Sequence, residues 1–155
     1  NNPYITHLMP VLQSPLLCLH VLCIMIAYAI LCIIVVISLS AIIIRIYSAN
    51  DSSIISQLAI INRILLYPAV MLLSIGIFLG AVWASISWGR YWAWDPKEVW
   101  ALITMVIYAM PIHSASLSQF GKPMFLHIYL VAAIISVAIT YFGVNMFFGG
   151  MHSYA

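Results

Sequence analysis

The chain has 155 residues, of which 66% are hydrophobic and only 5% charged, against roughly 45–50% apolar residues in ordinary soluble domains. Five basic and three acidic residues are too few to cover a soluble fold of this size, and a mean hydropathy of +1.16 makes this an integral membrane protein. The net charge of +2 comes without any basic run, so it does not point to nucleic acid and no such partner is expected.

A spanning helix needs about 20 predominantly apolar residues, and residues 1–155, read as one membrane domain, offer four such runs. Asn1 is no initiator Met, and neither a charged n-region nor a small-residue cleavage site precedes the first run. The chain is therefore expected to be a fragment, the C-terminal part of a longer one. The first span opens at Ser14-Pro15, a good N-cap followed by a proline suited to the first helical position, and runs to Ile44, stopping at Arg45. It holds Cys18, Cys23 and Cys32, which match neither a disulfide framework nor a CxxC pair and read as small apolar packing residues. Residues 46–62, with Asn50-Asp51-Ser52-Ser53, read as a loop carrying a short surface helix. The second span covers about 63–86. Its Gly76 and Gly80 are either a small-xxx-small pair that lets another helix approach closely or two incidental glycines.

The third span starts at Asp95-Pro96-Lys97-Glu98, an N-cap, a proline at N1 and an acid at N3, which is a capping box. It continues to about Ala115, with a kink expected at Pro111. After a turn at 116–123, the fourth span covers roughly 124–148 and ends at Gly149-Gly150. The fold class is thus all-α, with four transmembrane helices and a Trp-rich loop between the second and third. Four spans put both termini on the same side as that loop. Arg45, Arg63 and Lys122 lie on the opposite side and Arg90 and Lys97 on the loop side, so the cation excess marks the opposite side as cytoplasmic and the loop as external.

All five tryptophans, Trp83, Trp88, Trp92, Trp94 and Trp100, fall in one short stretch. An interfacial aromatic belt would populate both faces, and the other face has none. Flat indoles suit a large planar ligand, and Arg90 or Lys97 can meet its carboxylates; Arg90 can equally pair with Asp95. The capping box accounts for Asp95 and Glu98 without direct chemistry. His20, in the second turn of span one, and His152, just beyond span four, share the external face with this loop, and two imidazoles flanking an aromatic platform can supply both axial ligands of a heme iron. His113 lies about 17 residues into span three, roughly 26 Å deep at 1.5 Å per residue. It is either functional, as intramembrane ionisable residues are by default, or a neutral imidazole bonded to a backbone carbonyl freed by Pro111. His7 and His127 read as interfacial.

The run Trp88-Gly89-Arg90-Tyr91-Trp92-Ala93-Trp94-Asp95-Pro96-Lys97-Glu98 resembles the WWD signature of the heme-handling cytochrome c assembly proteins. With Met9 to Ser14, His20-Val21, and Gly143 to Tyr154, the chain looks most like their CcsA/ResC branch of the system II pathway. The resemblance implies that His20 and His152 ligate heme b outside the membrane, beside a loop whose Trp88, Arg90, Trp92, Trp94 and Asp95 contact it. It implies that His113 helps bind heme on its way outward. It further implies a cytochrome c synthase (heme lyase) acting within a larger complex, with a CcsB/ResB-type partner or fused domain, in a bacterial inner or thylakoid-type membrane. There heme joins a Cys-x-x-Cys-His motif of apocytochrome c on the periplasmic or equivalent face. No catalytic nucleophile or base is needed, since the substrate thiols attack. CcmC-type heme delivery to a chaperone shares the loop and flanking histidines. An electron-transfer cytochrome b places its ligands on facing helices inside a bundle, unlike these helix-end histidines. A complete family member carries further spans and a second intramembrane histidine, which this chain lacks.

Overall fold

Among the residues described by the structure, a computed structural model covering 14–48 and 52–143, every regular element is helical. Four α-helices follow in order: α1 Pro15–Tyr47, α2 Ser52–Trp88, α3 Pro96–Ala109 and α4 Pro123–Ala138. Short 3₁₀ turns at Met110–His113 and Ser118–Gly121 join α3 to α4, and a π-helical turn, Ile139–Gly143, continues α4. Three segments are long and apolar enough to cross a membrane, Pro15–Tyr47, Ser52–Trp88 and Pro123–Gly143. This is a multi-pass membrane architecture.

The start of α1 is where the sequence puts it, with the Ser14 hydroxyl accepting from the Leu16 amide ahead of Pro15. Its inner face is the stripe Ala27, Leu31, Ile34, Ser38 and Ala41. Its outer face is equally apolar, with Leu22, Met25, Ile33, Val36 and Ile43 exposed, as expected of a helix bathed in lipid. The helix passes Arg45 and ends only at Tyr47.

The expected loop with a short surface helix over 46–62 is largely helix: residues 46 and 47 still belong to α1, and 52–62 belong to α2. Residues 52–62 are the first turns of a single 37-residue helix, about 55 Å long and longer than the roughly 30 Å hydrocarbon core. Ile55, Ala59, Asn62, Leu66 and Ala69 form one buried stripe at helical spacing, so the inward face runs unbroken through the polar stretch, while Ser52, Ser53, Ser56 and Gln57 lie on the exposed side. Pro68 sits inside this helix without ending it.

The third expected span is also shorter as an α-helix. It stops at Ala109 and tightens to 3₁₀ at Met110, in place of a kinked helix running to Ala115. Pro111 has no amide to give to the carbonyl four residues back, which is that of Ile107. The Tyr129 hydroxyl of α4 donates to it at 2.8 Å. A neighbouring helix thus supplies the missing donor.

The helices alternate in direction. His20, early in α1, meets Gly76, late in α2; Ser38, late in α1, meets Asn62, early in α2; Thr140, after α4, meets the carbonyl of Trp100, in the first half of α3. One end of the bundle therefore gathers the start of α1, the end of α2, the loop before α3 and the end of α4. The other gathers the 3₁₀ turns and the Arg63 guanidinium, which donates to the Phe120 carbonyl. Between them lies a core of Leu31, Ile34, Leu66, Leu73, Tyr108 and Leu130.

Candidate functional site

Helix α2 ends at Trp88 because Gly89 takes a left-handed conformation, φ 74°, while its amide still bonds the Ser85 carbonyl at 2.9 Å; a glycine past the last turn does this without steric cost. The chain then needs only residues 89–95 to reach α3. Asp95 is buried and caps α3 by accepting from the Lys97 amide at 3.2 Å, and Glu98 completes the capping box. Glu98 does more than cap. Its Oε2 accepts from the amides of both Ala93 (2.9 Å) and Asp95 (3.3 Å), holding the chain on either side of Trp94. Trp94 itself has φ 58°, a left-handed conformation rare for a bulky residue. Its indole is turned outward, 77% exposed.

Beneath this loop lies a cavity of about 250 Å³, walled mainly by apolar and aromatic groups including Tyr28, Trp83, Tyr91, Trp92 and Tyr141, with His20, Lys97 and Glu98 as polar members. Trp83 is buried and meets Trp88 edge to face at 5.0 Å, so Trp88 backs the wall. Trp92 lies on the wall and meets Trp94 edge to face at 6.1 Å. The π-helical turn places Thr140 and Tyr141 against the cavity. Turns of this kind are rare and frequently mark functional sites. The Thr140 hydroxyl is 2.7 Å from the Ser136 carbonyl and 2.9 Å from Thr104 Oγ1, fixing the turn against α3.

The His20 ring lines the cavity, and its Nδ1 is 2.7 Å from the Gly76 carbonyl. A carbonyl oxygen only accepts, so Nδ1 carries the proton and the lone pair of the neutral ring sits on Nε2. The two glycines of α2 are not incidental. A Cβ at Gly76 would stand 2.5 Å from Ile24 Cδ1 and one at Gly80 2.8 Å from His20 Cε1, so both permit the close approach of α1.

Of the residues singled out in the sequence, the structure brings His20 and Trp92 to the cavity, with Trp88 behind it and Trp94 and Arg90 on the exposed outside of the loop. Lys97, and not Arg90, is the cation on the wall. His113 is at the opposite end, exposed in its 3₁₀ turn, with Nδ1 3.1 Å from the Ala109 carbonyl. His152 and His7 lie outside the described residues.

His127 is not interfacial. It is fully buried among α1, α2 and α4, because both ring nitrogens find partners there. Nε2 donates to the Ile55 carbonyl at 3.1 Å, and Nδ1 accepts from the Asn62 amide at 3.3 Å. Asn62 also donates to Ser38 Oγ at 2.8 Å. Tyr28 and Tyr141, both on the cavity wall, gave no signal in the sequence, since a tyrosine within an apolar run reads as packing.

The family model described as cytochrome C assembly protein matches residues 2–152. The chain is 39% identical over 158 residues to Protein NrfI of Wolinella succinogenes, covering 99% of this chain and 18% of the relative. It is 35% identical over 155 residues to the cytochrome c biogenesis protein CcsA of Chlamydomonas reinhardtii, covering 95% and 42%. It is 31% identical over 176 residues to CcsA of Synechococcus sp. strain CC9902, covering 95% and 58%. The chain thus spans less than two thirds of the length of each of these relatives.

Proposed function

This chain belongs to the cytochrome c assembly protein family, and we propose that the Trp-loop end of the bundle binds heme b outside the membrane and presents it for attachment to apocytochrome c. The observation that carries this reading is His20 on the wall of an aromatic cavity, its Nδ1 hydrogen bonded to the Gly76 carbonyl. An imidazole held through one nitrogen by a carbonyl is the usual arrangement of a metal-binding histidine. Tyr91, Trp92 and Tyr141 supply apolar faces for the porphyrin, and Lys97 a cation for a propionate. Trp88 supports the wall from behind, and Asp95 caps α3 beneath the loop. Arg90 and Trp94, on the outer side of the loop, meet the part of heme that emerges. His152 supplies the second axial ligand. A cavity of about 250 Å³ is below the usual ligand-site range of about 300–1,000 Å³, so a macrocycle seated here projects from it, as suits a cargo whose vinyl edge must meet a peptide.

The chemistry is positioning. Each cysteine thiol of the Cys-x-x-Cys-His motif adds across one vinyl group: sulfur bonds the carbon next to the ring, and the proton goes to the terminal carbon. No electrons are exchanged in that addition. The chain acts as the synthase (heme lyase) subunit of a larger complex with a CcsB/ResB-type partner. In the bilayer of a bacterial inner or thylakoid-type membrane, α3 with its 3₁₀ turn serves as a fourth span, and the 3₁₀ turns lie on the cytoplasmic side. His113, at that end, serves heme at the start of its passage outward.

The test is the visible spectrum of the full-length complex. His20→Ala should lose the low-spin bis-histidine spectrum and stop cytochrome maturation, with partial recovery in added imidazole. An unchanged spectrum with unchanged cytochrome output rules out ligation by His20.

A further inference from the structure

We propose that Gly76 and Gly80 form a backbone seat that fixes the tautomer and orientation of His20, making them positioning residues for heme ligation; this rests on the assignment of His20 as an axial ligand. The seat has two parts. The Gly76 carbonyl takes the Nδ1 proton at 2.7 Å, at the short end of the N–H···O range. Gly80 provides the floor: a Cβ there would stand 2.8 Å from His20 Cε1, 2.9 Å from Nδ1 and 3.6 Å from Nε2. The imidazole thus lies directly against the α2 backbone, one turn beyond the carbonyl that holds it.

The two glycines differ in what a side chain would displace. At Gly76 an added methyl meets the flexible end of Ile24, which can swing aside, and the carbonyl stays in place. At Gly80 it meets a rigid ring tethered through Cβ to α1 and through Nδ1 to Gly76. That ring cannot move away without breaking its hydrogen bond. Any side chain at position 80 therefore turns the histidine out of its seat, even though His20 itself is untouched. Hydrogen bonding at the non-coordinating nitrogen orients a metal-bound imidazole and raises its basicity, and loss of such a partner typically lowers metal affinity about 10–100-fold. Close helix packing alone makes a different forecast, because it treats the two glycines alike and is indifferent to the Nδ1 proton.

The decisive experiment uses the full-length protein in its membrane complex with His20→Gly, which removes the ring and leaves the seat. Imidazole and 1-methylimidazole both carry a lone pair for iron, but only imidazole has an N–H for the Gly76 carbonyl. Titration of the low-spin spectrum should show imidazole binding about tenfold more tightly, the worth of one such hydrogen bond. Equal affinities, or binding of neither base, overturn the seat. Gly80→Ala with His20 intact should lose most low-spin heme at normal protein accumulation; an unchanged Gly80→Ala spectrum also overturns the proposal. If Gly80→Ala does not accumulate, the comparison of the two bases decides alone. If His20→Gly keeps the wild-type low-spin spectrum with no base added, the failure belongs to the ligand assignment itself.

Discussion

Replacing Glu98 by Ala removes the carboxylate on which the shape of the 89–95 loop depends. Its Oε2 accepts from the amides of Ala93 and Asp95 at 2.9 and 3.3 Å, gripping the chain on both sides of Trp94. The left-handed conformation of that residue costs about 1–2 kcal/mol. A hydrogen bond to a charged acceptor contributes about 1.5–3 kcal/mol, and with the longer bond counted at the low end the pair supplies roughly 3 kcal/mol. That outweighs the strain, and without it the loop is expected to leave this geometry. Hydrogen exchange measured by mass spectrometry on the 90–97 segment should accelerate roughly a hundredfold in Glu98→Ala, since each 1.4 kcal/mol is about a factor of ten. Glu98→Gln keeps an acceptor oxygen without the charge and should accelerate about tenfold. Because Glu98 and Trp92 both line the cavity, heme retention should fall in the same order. Unchanged protection in Glu98→Ala would refute the reasoning and leave the edge-to-face tryptophan contacts as what shapes the loop.

The buried His127 should matter for the fold and not for the outer site: His127→Leu strands the polar groups of Asn62 and Ser38 and should cost about 1–3 kcal/mol, read as a lower melting temperature. The low-spin spectrum of the remaining heme should be unchanged, and a shifted spectrum or an unaltered melting temperature would contradict this. His113→Asn keeps a donor for the Ala109 carbonyl and should fold normally, yet lower the heme that co-purifies with the complex without changing its bis-histidine character. Normal heme content with normal cytochrome output would leave that hydrogen bond as the residue's whole role.

Local rules made parts of this structure legible. Ser14-Pro15 and Asp95-Pro96-Lys97-Glu98 form the expected caps because capping depends on a few adjacent residues. Apolar length also placed α1, since lipid leaves nothing but a helix for a run so apolar. The failures have a common cause, which is compensation from elsewhere in the chain. Ser52, Ser53, Ser56 and Gln57 look like a loop until Ile55, Ala59 and Asn62 are seen packing inward. Met110–His113 becomes a 3₁₀ turn in place of a kinked helix, and the carbonyl that Pro111 cannot serve is served by Tyr129 of another helix. At the site, the tryptophan cluster and His20 were visible as a pattern. Lys97 in place of Arg90 on the wall was not, because which cation faces inward depends on the turn into α3. The second contact of Glu98, to Ala93, lies outside the capping box and so had no signature.

The described histidines are separated by what their surroundings allow. A ring whose two nitrogens are both taken by a packed core cannot meet an iron unless helices come apart. His127 is of this kind, enclosed by α1, α2 and α4 with Ile55 and Asn62 on its two nitrogens, and its polarity serves to pin three helices in register. His113 is exposed in its turn, with Nδ1 on the Ala109 carbonyl, and lies at the end of the bundle opposite the aromatic cavity. His20 combines a fixed orientation with a place on an aromatic cavity wall. Orientation without a cavity gives a structural histidine, and a cavity without orientation gives a mobile one. Only the two together give a ligand that can hold a large planar cargo at a set angle while its edge is presented to another chain.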